Sequence, residues 1–131
     1  MKTVVEGKDS AVTISQETPT VIIGERINPT GKKKLTAALR ERDFDFIIRE
    51  AVRQVEAGAH IIDVNVGASG IVEEELLPEV VKRVAEAVGV PICIDSSKPA
   101  ALEAALKDTP DPNRRHRIEH CELPRPEAIE A

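Results

Sequence analysis

Three clusters of carboxylate and amide side chains stand directly behind three apolar runs. Glu25, Arg26 and Asn28 follow Val21-Ile22-Ile23-Gly24; Asp63 and Asn65 end a run that starts His60-Ile61-Ile62; Asp95, Ser96 and Ser97 end Ile92-Cys93-Ile94. A carboxylate only accepts hydrogen bonds, whereas an amide donates and accepts, so Glu25 with Asn28 can hold a polar heterocycle. Asp63 and Asn65 lie two apart, which on a strand sends both side chains to one face. A carboxylate such as Asp95 at a strand end can accept two N–H bonds from a guanidine-like edge. A structural reading stays open beside the chemical one. Glu25 and Arg26 can pair with each other or with neighbouring strands, and Asn28 can make a turn. Asp63 and Asn65 can tie loops together, and Ser96 or Ser97 can cap a helix. In either reading a buried Asp63 needs partners.

The elements that must position these residues follow from periodicity. Thr3–Val5 and Ala11–Ser15 are β-favouring runs separated by Gly7, Lys8, Asp9 and Ser10, and predict a hairpin. Val21–Gly24 is the first core strand, and a short basic helical stretch surrounds Leu35–Arg40. Phe44, Ile47, Ile48, Ala51, Val52 and Val55 recur at spacings of three and four, predicting a helix with Asp43 as N-cap and Gly58 as its stop. Ile61–Val64 is the second strand. A third helix carries Leu76, Leu77, Val80, Val81, Val84 and Val88, with Pro78 near its first turn and Gly89 after its end. Val90–Ile94 is the third strand, and Pro99 opens a fourth helix that ends near Lys107. Strands that alternate with helices make a parallel α/β sheet, whose ligands bind at the C-terminal strand ends. That is the edge where all three polar clusters fall.

Composition narrows the function classes. The chain has 131 residues, 41% of them hydrophobic, and a formal net charge of −5. It fits one globular domain, and with no basic stripe it does not read as a nucleic-acid binder. It contains no apolar run of membrane-spanning length and no secretory segment at Met1–Ser10, so a cytoplasmic location is expected. Phe44 and Phe46 are its only aromatic residues, so the core must be Val, Ile, Leu and Ala. Cys93 and Cys121 sit in strand-like runs and are expected to be buried, reduced thiols.

The wording of three segments carries a resemblance. Val-Ile-Ile-Gly-Glu-Arg-Ile-Asn-Pro-Thr-Gly-Lys-Lys-Lys-Leu (21–35), Glu-Ala-Gly-Ala-His-Ile-Ile-Asp-Val-Asn-Val-Gly (56–67) and Val-Pro-Ile-Cys-Ile-Asp-Ser-Ser (90–97) resemble, in order, the first three strands of the pterin-binding barrel of methyltetrahydrofolate methyltransferases. That family includes the folate domain of cobalamin-dependent methionine synthase and the corrinoid iron–sulfur protein methyltransferases. Dihydropteroate synthase is a more distant relative. The resemblance covers residues 1–107. It implies that Asp95 binds the amino-pyrimidine edge of a pterin, that Glu25 contacts the pterin from the first loop, and that Asn28, Asp63 and Asn65 shape the pocket floor. It also implies a tetrahydrofolate or pterin ligand, with a corrinoid entering only on a partner.

A barrel of this type needs about 250 residues, and residues of its later strands have no counterpart here. The expected fold is therefore α/β: half of a TIM-type (β/α)8 barrel, with about four parallel strands and their helices behind a short N-terminal hairpin. The expected division is a hairpin at 1–18, βα units at 20–107, a proline-bearing linker at 108–113, and a different segment at 114–131. In that last segment Arg114–Leu123 reads as a strand and Pro126–Ala131 as the start of a helix. Residues 114–127 resemble a strand of metal-dependent amidohydrolases, in which the counterpart of His120 is a metal ligand. The expected function is a truncated or recombined pterin-binding fragment without full catalytic activity. One alternative is a methyltransferase module completed by oligomerisation, a homodimer being favoured. Another is a hydrolase-like fragment using His120. No catalytic residue is assigned, and no metal site other than the His120 candidate.

Overall fold

In the computed structural model the described residues are 2–107 and the backbone of 117–119. The element order is β1 (Thr3–Glu6), β2 (Ala11–Ile14), β3 (Ile23–Ile27), α1 (Lys33–Glu41), α2 (Phe44–Glu56), β4 (Ile61–Val64), α3 (Glu73–Val88), β5 (Ile92–Asp95), α4 (Pro99–Lys107) and β6 (Arg117–Glu119). β1 and β2 form the antiparallel hairpin expected from the sequence, Thr3 facing Ile14 and Glu6 facing Ala11. The remaining strands form one parallel sheet in the order β3-β4-β5-β6. The sheet is that of a partial TIM-type barrel, and among the described residues it does not close on itself.

Two apolar layers flank this sheet. Ile62, Val64, Ile92 and Ile94 face outward and pack with Leu35 and Leu39 of α1, Ile47 and Ala51 of α2, Leu77, Val80 and Val84 of α3, and Ala101 and Ala105 of α4. The alternate residues Ile61 and Cys93 face the concave side, where they pack with Val5 and with Val12, Ile14 and Val21. Four parallel strands with all their helices on one side would by themselves leave this concave face open to water. The hairpin instead covers its lower part, and Ile61 and Cys93 are each only 1% exposed. The hairpin is held there by the Asp9 amide, which donates to the Gly89 carbonyl at 2.8 Å.

Helix ends follow local chemistry. The Asp43 side chain accepts from the Phe46 amide at 3.2 Å, as its N-cap role requires. Gly89 ends α3 at φ 68°, a left-handed conformation that suits glycine. Two sequence expectations need correction. The first core strand is not Val21–Gly24 but Ile23–Ile27, because Ile22 meets the start of β4 through the ring of His60. The Ile22 amide donates to His60 Nδ1 at 3.0 Å, and the Ile22 carbonyl accepts from the His60 amide at 2.8 Å. Pro78 does not lie in the first turn: α3 begins at Glu73, which places the proline inside the helix, where it removes the amide that would bond to the Glu74 carbonyl. The tail strand, expected over Arg114–Leu123, is described only as Arg117–Glu119, paired in parallel with Cys93–Asp95. The linker 108–113, His116, His120, Cys121 and the helix expected at 126–131 lie outside the described residues. Among the described residues no helix is long and apolar enough to cross a membrane.

Candidate functional site

The sequence puts the polar residues at strand ends; the pleat decides which of them meet. On β4 the outward positions are Ile62 and Val64, so Asp63 must face the concave side. On β5 the outward positions are Ile92 and Ile94, so Cys93 and Asp95 face the same way. Asp63 pairs with Cys93 in register, and the Cys93 thiol hydrogen-bonds its carboxylate. Asn65, one residue beyond β4, reaches across with Nδ2 and donates to Asp95 Oδ2 at 3.2 Å. Its Oδ1 accepts from the Gly67 amide at 2.8 Å, which fixes the amide orientation. Asp63 and Asp95 are 5% and 2% exposed.

Two buried carboxyls this close cannot both hold a full charge cheaply. Burial pushes the Asp63 carboxyl from its ordinary 3.8 up to about 7. The Cys93 hydrogen bond works against that rise, while Asp95 and the Glu25 charge add to it. Oδ2 of Asp63 is fully buried and meets no conventional donor among the described residues. A retained proton on Asp63 gives that carboxyl a donor to offer Asp95.

Glu25 and Asn28 complete the near side. Glu25 lies close enough to Asp63 for its charge to act there. Asn28 makes the turn that the structural reading foresaw, its Oδ1 accepting from the Thr30 amide at 3.1 Å. Its Nδ2 approaches Glu25 Oε1 at 3.5 Å, the long limit of a hydrogen bond. Arg26 does not join the pocket: it is an exposed side chain 3.8 Å from Glu50 on α2. Ser96 is structural, donating to Glu73 Oε1 at 3.0 Å and accepting from the Lys98 amide at 3.0 Å. Five expected pocket residues, Glu25, Asn28, Asp63, Asn65 and Asp95, thus gather at the C-terminal edge of β3, β4 and β5.

Several residues that organise the site were not singled out from sequence. Glu73 is buried beneath the β5 loop and also meets Lys98 Nζ at 3.4 Å. Arg40 ties the loop after β4 to α1 through the Ser69 carbonyl at 2.8 Å. Gln54 fastens β3 to α2. Only Gln54 left a signal: with Ile47 and Ala51 it occupies the buried face of α2, a polar residue where an apolar one is expected. In the Glu73-Glu74-Glu75 run nothing distinguishes the buried glutamate from its neighbours.

The acid–amide cluster lies at the C-terminal strand ends of a parallel α/β sheet, the edge at which ligands of such sheets bind. Residues 24–111 match the model of a family described as pterin binding enzymes, and the chain belongs to that family. It is 44% identical over 89 residues to the methylcorrinoid:tetrahydrofolate methyltransferase of Eubacterium limosum, a match that covers 66% of this chain and 31% of the relative. It is 31% identical over 101 residues to the methionine synthase of Mycobacterium tuberculosis (strain ATCC 25618 / H37Rv), which covers 75% of this chain and 8% of that protein. The chain therefore spans less than a third of the length of either relative.

Proposed function

We propose that this chain supplies the pterin-contacting part of a folate-dependent methyl-transfer site. The observation that carries the reading is the Asp63–Asn65–Asp95 group: three polar side chains on two adjacent strands, one bond of 3.2 Å between them, and a buried carboxyl pair facing the concave side. The amino-pyrimidine edge of a pterin offers adjacent N–H donors, and a carboxylate is their natural acceptor. Asp95 is the residue for that edge, Asn65 orients it, and Asp63 and Asn28 shape the floor with Glu25 at the entrance. Two relatives whose names specify tetrahydrofolate methyl transfer and methionine synthesis support a methyltetrahydrofolate-type ligand. A corrinoid would come from a partner.

Transfer itself needs a closed pocket, and the described sheet offers only one wall. We propose that a second copy of the chain closes the barrel and completes the site. The exposed Ile22 and Ile23, 52% and 36% accessible along the β3 edge, support a strand–strand contact there. The family match ends at residue 111, inside the linker 108–113, which supports a boundary at that segment.

Calorimetric titration with methyltetrahydrofolate tests the pocket, with Asp95→Asn as the control. Heat from the unmutated protein that the variant loses supports the reading. A flat titration with the unmutated protein ends it.

A further inference from the structure

Strand β3 contains a residue too many. Ile23 pairs with Ile61 and Gly24 with Ile62, but Ile27 pairs with Val64. Three steps along β3 thus match two along β4, so Glu25 and Arg26 share the space of one residue in a bulge. The bulge turns Ile27 outward into the helical core, where it is fully buried. It also takes the Arg26 amide out of the regular ladder.

That amide is bonded from an unexpected direction. Gln54, on the outer helix α2 and 6% exposed, accepts from the Arg26 amide through Oε1 at 3.0 Å. Its Nε2 donates to the Glu50 carbonyl at 3.1 Å, so both ends of the buried amide are satisfied. The approach is possible because residue 24 is glycine: a Cβ there would lie 2.5 Å from Gln54 Oε1 and 3.1 Å from its Cδ. A polar side chain on the core face of a helix is unfavourable unless its bonds are made; one of these is made within α2 and the other to the bulged segment of β3.

We infer that Gln54 is a positioning residue for the pocket: by holding the Arg26 amide across the bulge, it sets where Glu25 and Asn28 stand at the pocket entrance. The inference rests on the pterin-site reading and adds to it a residue from the helical layer that touches no ligand. Gly24 is its steric counterpart, the gap into which the Gln54 amide fits.

The experiment compares Gln54→Met, Gln54→Glu and Gly24→Ala with the unmutated protein. Two measurements are made: methyltetrahydrofolate affinity by calorimetry and amide hydrogen exchange at Arg26 by NMR. Gln54→Met removes the acceptor and keeps the volume; the expected result is faster exchange at Arg26 and affinity about tenfold weaker, the scale of one misplaced hydrogen bond. Gln54→Glu keeps an oxygen at the same place and should recover most of both properties, which a purely volumetric role would not predict. Gly24→Ala leaves Gln54 intact but displaces its amide and should reproduce the Gln54→Met result. Unchanged affinity in Gln54→Met, with Asp95→Asn binding lost, overturns the positioning role and leaves the pterin reading standing. No binding by the unmutated protein overturns the pterin reading and this role with it.

Discussion

Among single residues, Asp63 has the clearest consequence in solution. Its carboxyl holds a proton in the folded chain up to about pH 7, whereas in the unfolded chain it ionises near 3.8. Between those values the unfolded state binds fewer protons, so stability falls as pH rises and is fully present only below about pH 4. The difference of about three pKa units corresponds to at most ~4 kcal/mol. Asp63→Asn keeps a neutral side chain at every pH. Urea denaturation at pH 5 and pH 8.5 should show the unmutated protein losing more stability at the higher pH than the variant; parallel losses would remove Asp63 as the cause. Asp95 is the residue on which ligand affinity should depend most. Loss of a hydrogen bond to a charged acceptor costs about 1.5–3 kcal/mol, so Asp95→Asn should weaken methyltetrahydrofolate binding by roughly ten- to a hundredfold in calorimetric titration.

The helices owe their stability to one buried face each. In α3, Leu77 is fully buried and Lys82 is exposed. Leu77→Ala should cost about 2–5 kcal/mol, whereas Lys82→Ala should stay within about 0.5 kcal/mol; chemical denaturation of the two variants checks the pair. Gly89 joins two constraints, a φ of 68° and the carboxylate of Asp9 packed where its Cβ would stand. Gly89→Ala should therefore lower the melting temperature and loosen the hairpin, read as faster exchange of the Asp9 amide that Gly89 accepts.

For the whole molecule, β3 stands at the edge of the described sheet. An exposed strand edge bearing Ile22 and Ile23 invites another strand. Sedimentation equilibrium should find a dimer, and Ile22→Lys should shift it toward monomer with an unchanged circular dichroism spectrum. A monomer at every concentration would remove the second copy as the source of the missing wall. Helices α1–α4 all pack on the outer face, which leaves the concave face to the hairpin among the described residues. That arrangement follows from right-handed crossovers between parallel strands.

Periodicity and wording were enough to read the order of elements from the sequence, because helix faces repeat at three and four and strand ends carry the polar clusters. They also sufficed for the family and for placing Asp63 and Asp95 on one face of neighbouring strands, which depends on strand polarity and pleat. The bulge in β3 was not legible, since Val21-Ile22-Ile23-Gly24-Glu25-Arg26-Ile27 reads as one regular run; its pairing with β4 and the Gln54 amide fix where the extra residue goes. Nor was the raised pKa of Asp63, which depends on burial that no local pattern encodes and on Asp95 from the next strand. Residue types thus set the hydrogen-bonding chemistry available at the strand ends. Contacts between distant segments decide which atoms face each other, and with them the raised pKa of Asp63 and the place of the extra residue in β3.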